Sequence, residues 1–120
     1  MIKFKLVYNI LPVIILYLSL EGGRNLGPIV FINKDLKWDK GLLEHELTHV
    51  KQWYRLPVLH NILYIVSDKY KLKSELEAYK NQIPFARDQE FALSLAAHKL
   101  ANNYKLKVSY EDARNYLLDK

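Results

Sequence analysis

The chain opens with alternation: Ile2-Lys3-Phe4-Lys5-Leu6 places an apolar side chain at every second position, the period of a strand. Val13-Ile14-Ile15-Leu16-Tyr17-Leu18 is a continuous apolar run rich in β-branched and aromatic residues, which reads as a buried strand, with a helix begun after Pro12 as the competing reading. Glu21 to Pro28 holds three of the four glycines and a proline, so it reads as a turn or loop, and Ile29-Val30-Phe31-Ile32 follows as a short strand. The period then changes. Asp39 is placed to cap a helix whose apolar stripe is Leu43, Leu47, Val50 and Tyr54 and which Pro57 ends. A second helix is expected from Leu59 to Tyr70 and a third from Leu72 to Ile83, stopped by Pro84. A fourth covers Ala86 to Tyr104, and a fifth starts at the capping box Ser109-Tyr110-Glu111-Asp112. There is no internal repeat, low-complexity tract or linker. The expected fold is α+β, a small N-terminal β-sheet followed by mostly helices, in one domain spanning residues 1–120.

Composition narrows the chemistry. Half of the residues are hydrophobic and 12% aromatic, enough to exclude global disorder. The absence of cysteine removes disulfide scaffolds, thiolate zinc ribbons, iron–sulfur clusters and thiol nucleophiles together. Any metal site must therefore use the histidines, His45, His49, His60 and His98, with carboxylates. The net charge of +5 is spread: Lys69, Lys71 and Lys73 are the densest cluster, and the other cations are interspersed with acids, which argues for a solubilising surface and against a nucleic-acid partner. Leu6 to Leu20, with Lys3 and Lys5 before it, has the outline of a secretion signal. It lacks a small-residue cleavage site, and 15 residues broken by Asn9 and Pro12 are short for a membrane span. We read it as a folded segment of a cytoplasmic protein, with attachment to a membrane surface as the less favoured alternative.

The chemistry is concentrated in His45-Glu46-Leu47-Thr48-His49, an H-E-x-x-H sequence. On a helix, residues i and i+4 project from the same side one turn apart, so both imidazoles can reach one zinc ion. Glu46 lies beside such a metal without ligating it and suits a general base that activates water. Two ligands are too few for a catalytic zinc. Gln52 and Arg55 replace the glycine and third histidine of the metzincin pattern, so the third ligand lies elsewhere. Lys73-Ser74-Glu75-Leu76-Glu77-Ala78-Tyr79 supplies two carboxylates on one helix. Taking Leu72, Leu76, Tyr79 and Ile83 as its buried face, Glu75 lies roughly 60° from the centre and Glu77 roughly 140° away, among Lys73, Lys80 and Asn81. Glu75 is thus the expected ligand, with Glu77 the alternative.

HELTH followed by ELEAY resembles the gluzincin metallopeptidases, which carry H-E-x-x-H on one helix and a ligating glutamate on a later one. The second segment is similar to the EYEAD-type segment of the membrane-embedded HtpX-type peptidases, and the small size is most similar to their soluble minimal relatives, the minigluzincins. The resemblance covers roughly Pro28 to Gln82 and implies a zincin-like fold, Zn2+ as cofactor, and Glu75, the first Glu of E-x-E-A, as ligand. It also implies a strand above the cleft that pairs with substrate, a position that Pro28 to Asn33 matches by order. Tyr79 stands where the larger enzymes often have Asp, a departure that leaves a contact to a ligating His unassigned.

The expected function is zinc-dependent hydrolysis of peptide bonds in a peptide or protein substrate, with His45, His49 and Glu75 as ligands and Glu46 as base. Two rivals stand beside it: an H-E-x-x-H protein that cleaves repressors, and a non-catalytic or membrane-surface interaction protein with a structural metal site. A chain this small can also block its own cleft with a terminus or in a self-inhibiting homodimer. Gln52 and Trp53 are read as packing and local hydrogen bonding, and His60 and His98 as ordinary histidines. His60, His98 and Tyr79 stay open as candidates to stabilise an oxyanion.

Overall fold

The computed structural model describes residues 2–8 and 10–119; Asn9, one of the two breaks read in the apolar segment, lies outside them. Four strands, β1 (Ile2–Val7), β2 (Leu11–Leu18), β3 (Gly23–Leu26) and β4 (Ile29–Asn33), precede five helices, α1 (Lys40–Arg55), α2 (Leu59–Val66), α3 (Asp68–Gln82), α4 (Gln89–Asn102) and α5 (Tyr110–Leu118). The fold is α+β, as the patterning predicts.

The strands form one sheet in the order β1-β2-β4-β3. β1 and β2 are an antiparallel hairpin, β4 lies parallel to β2, and β3 pairs antiparallel with β4 at the far edge. The apolar run after Pro12 is therefore a strand and not a helix: β-branched side chains pack well on a pleat, and β1 and β4 supply partners on both sides. Glu21 to Pro28 is not wholly a loop. Gly23–Leu26 has no alternation to announce it and becomes β3 by pairing with β4, with Gly27 at a φ of +56° making the turn between them. That pairing also places Ile29–Asn33 inside the sheet, so the expected substrate-pairing strand has its backbone groups engaged on both sides, and β3 is the free edge at that end.

On the inner sheet face, Val13, Ile15, Tyr17, Val30 and Ile32 are buried against Leu47 and Val50 of α1, with Leu43 and Tyr54 packed at the margin. The apolar stripe read for α1 is thus its sheet-facing side, and the two histidines are left to face away. Asp39 caps α1 by accepting from Leu42 N at 2.9 Å. The helix expected over Leu59–Tyr70 is broken at Ser67, where the backbone is extended and the side chain accepts from Tyr70 N, capping α3. Pro84 sits in a short 3-10 turn after α3, so α4 starts at its Asp88 cap, later than Ala86. Ser109 caps α5 by accepting from Asp112 N at 3.0 Å. Tyr79, Leu93, Ala97, Leu100 and Leu117 form a second core that joins α3, α4 and α5. No helix among the described residues is long and apolar enough to cross a membrane.

Candidate metal centre

α1 and α3 lie against each other, and their facing stripes meet at His45, His49 and Glu75. On α3 the buried residues are Ser74, Glu75, Ala78 and Tyr79, with Gln82 one further turn along the Glu75 and Tyr79 stripe. His45 Nε2 and His49 Nε2 each lie 3.2 Å from the same oxygen, Glu75 Oε1, and one ligand atom from each of the three residues falls within 4.8 Å of the others. All three side chains are buried.

The far side of each ring is held by an amide. Gln82 Oε1 is 2.8 Å from His45 Nδ1 and Gln52 Oε1 is 2.9 Å from His49 Nδ1. The Gln52 amide has its own orientation set, because its Nε2 donates to Ser74 O and to Glu77 Oε1 and its oxygen accepts from Ser74 Oγ. An amide oxygen accepts only, so Nδ1 of His49 carries a proton and Nε2 is the atom that faces Glu75 and His45; without a metal it donates to the Glu75 carboxylate, and in the neutral ring it is left with the lone pair. Two imidazole Nε2 atoms and a carboxylate converging on one point are, once the rings are neutral, the donor set of a divalent metal, and hydrogen-bonded Nδ1 groups are the usual accompaniment of ligating histidines.

Ionisation follows the geometry. Burial disfavours a charged His49, yet the Glu75 carboxylate that bonds and faces it raises the imidazole from 6.5 to about 9. Burial likewise works to raise Glu75, and the hydrogen bonds of His45 and His49 outweigh it, holding the carboxyl well below its usual range. Glu46 has no protein donor among the described residues. Burial pushes it up, and the two imidazoles offset only part of that rise. Its carboxylate lies beneath the β3 edge: a Cβ built on Gly23 would come within 3.0 Å of Glu46 Cγ and 3.2 Å of Oε2, so glycine is what lets the strand pass this close.

Glu77 faces partly to solvent, as the helical face suggested, with its side chain 39% exposed, and it is also engaged by α1. It is half-buried, accepts from Gln52 Nε2 at 2.8 Å and pairs with Arg55 at 3.1 Å, which points it along α1 and away from the histidine pair. Of the residues left open for an oxyanion, His98 is exposed on α4 beside Asn102, while His60 is buried with its ring 6.5 Å from that of His49. His60 Nδ1 is 2.7 Å from Tyr70 Oη, and its burial keeps it neutral by lowering its basicity. Tyr79 packs its ring edge-on to His45, and its hydroxyl pairs with Tyr104. Trp53 does pack, against Tyr54 and over Gly27.

Three residues of the site escaped the sequence reading. Tyr64 on α2 donates its hydroxyl to Glu75 Oε2, fixing the carboxylate so that Oε1 faces the histidines. Gln82 supplies the contact to His45 that the Tyr79 position left unassigned. Ser74 locks Gln52. Gln82 was accessible through the i, i+4, i+7 spacing of Glu75, Tyr79 and Gln82; Tyr64 had no local signal, since only the packing of α2 brings it in. No protein-family model matches the chain, and neither a curated protein nor a solved structure does.

Proposed function

We propose that this chain is a zinc-dependent endopeptidase of gluzincin type with a zincin-like fold, in which His45, His49 and Glu75 hold Zn2+ and Glu46 is the general base. The observation that carries this reading is the convergence of two Nε2 atoms on one Glu75 oxygen with both Nδ1 atoms turned outward onto glutamine amides. Three protein ligands leave a fourth position open, which suits a catalytic rather than a structural metal. Zinc bound there supplies Lewis acidity to a carbonyl and lowers the pKa of water.

The chain's own groups supply the remaining steps. Glu46, with an elevated pKa and no competing protein donor, accepts a proton from the attacking water and passes it to the departing amine. The unpaired edge of β3, directly above Glu46, offers backbone donors and acceptors to an extended peptide, the part the resemblance had given to β4. Tyr64 holds Glu75, and His60 and Tyr79 flank the two histidines as candidate oxyanion donors. The test is cleavage of an unstructured protein substrate by zinc-loaded wild type and Glu46→Gln. We expect the variant to keep its metal and melting temperature and lose cleavage, because an amide cannot take the proton. Retained cleavage excludes Glu46 as base.

A further inference from the structure

The outer face of the sheet is apolar throughout its centre. Register aligns two rows across all four strands: Ile2, Leu16, Phe31 and Arg24 in one, Phe4, Ile14, Ile29 and Leu26 in the other. Leu6 and Leu18 extend the field at its ends, and no helix covers it. Phe4 is 78% exposed, Leu26 63% and Ile2 61%. A sheet with one solvated face normally alternates apolar and polar residues, whereas near-continuous apolar strands belong to sheets covered on both sides. β2 and β4 are of the second kind, with one side bare.

We infer that a second copy of this chain docks on this face, the two sheets packing back to back. Strands about 4.8 Å apart rising about 3.3 Å per residue give a footprint of roughly 20 by 20 Å. That projects to roughly 400 Å2, at the size of the largest apolar patch on a typical monomer, and because protruding side chains carry more accessible area than their projection it approaches the roughly 800 Å2 per partner of a standard interface. Flat apolar sheet faces pack on one another about 10 Å apart. Charge selects a copy over an anionic lipid surface. The field holds one cation, Arg24 on the β3 margin, while Lys3 and Lys5 project from the opposite side of β1. A lipid-binding face would carry its cations around the apolar field.

The consequence separates this dimer from the self-inhibiting one expected above. α1 covers the inner sheet face, so the His45, His49 and Glu75 centres of the two copies lie on opposite outer sides and neither blocks the other. Sedimentation velocity of the full chain over a concentration series tests it. We expect twice the chain mass at tens of micromolar, a single chain mass for the double variant Phe4→Glu/Leu26→Glu with unchanged circular dichroism, and retained dimer for Ile65→Glu, an exposed position on α2. A monomeric wild type, or a dimer that survives the double variant, overturns the proposal. Flotation of the wild type with phosphatidylserine vesicles that the double variant abolishes, without self-association in solution, assigns the face to lipid and overturns it equally.

Discussion

Gln52 Oε1 lies 2.9 Å from Nδ1 of His49, one turn earlier on the same helix, and Ser74 on α3 holds that glutamine in place. The imidazole is therefore oriented before any metal arrives. Gln52→Ala removes the shorter contact to Nδ1 and leaves only Ser74 Oγ, at 3.2 Å, to hold the ring, so zinc affinity should fall by about 10–100-fold. Gln82→Ala should weaken binding similarly through His45. Titration against a competing chelator measures both, and unchanged affinity would remove the glutamines from the account.

The two candidate carboxylates separate cleanly. Glu75→Ala takes away an oxygen shared by both histidines and should abolish stoichiometric zinc binding. Glu77→Ala breaks an exposed pair with Arg55 and one contact to Gln52, so zinc should remain, with stability lowered by about 1 kcal/mol or less. Loss of metal in Glu77→Ala alone would reverse the assignment.

Acidity reads out the same cluster in metal-stripped protein. His49 is raised from 6.5 to about 9, so its contribution to stability is complete below pH 6.5 and is lost as pH rises through about 9. Glu75 is lowered from 4.5, so its contribution is present above pH 4.5 and is lost on acidification below it. The stripped chain should melt highest between pH 4.5 and 6.5 and at lower temperature near pH 9. Zinc requires neutral imidazoles, so the rise in melting temperature on adding zinc should grow with pH over the same interval. Differential scanning calorimetry with and without zinc checks both slopes, and a pH-independent difference would contradict them.

Gly23 ties the edge strand to Glu46, the proposed base. A Cβ there meets Glu46 Cγ at 3.0 Å and Leu42 at 3.2 Å, so Gly23→Ala must displace Glu46 or the strand. Displacement on the order of 1 Å costs about 100-fold in rate when it misplaces a catalytic group. We expect that order of loss in cleavage with zinc content unchanged, and full activity in Gly23→Ala would show that β3 does not approach the base.

How far the site was readable follows from what each residue answers to. His45, Glu46 and His49 are set by helical spacing within one turn, and Asp39 announces their helix. Glu75 faced inward as expected, although the stripe used to place it was mis-centred: Leu72, Leu76 and Ile83 pack toward the α4–α5 core, Ser74 and Glu75 turn to α1, and Tyr79 spans the two, a member of that core with its ring edge against His45. A helix wedged between two neighbours has two buried sides, and hydropathy marks only the apolar one. β3 depends on pairing with β4 and has no pattern of its own. Ser67 carried a local capping signal that the apolar run of α2 obscured, and Tyr64 reaches Glu75 only after that break turns α2 over the site.

Residues 1–20 contain β1 and β2, whose Val13 and Ile15 are fully buried against α1. Their removal should unfold a domain that has only about 5–15 kcal/mol to lose. A truncated chain that melts cooperatively and keeps zinc would show the segment to be an appendage, which the sheet topology contradicts.

The central claim is the metal centre, and elemental analysis of protein purified without added chelator tests it most directly. About one zinc per chain in the wild type and close to none in His49→Ala is the result the proposal predicts. Equal metal content in the two, or none in a folded wild type supplied with zinc, would contradict it.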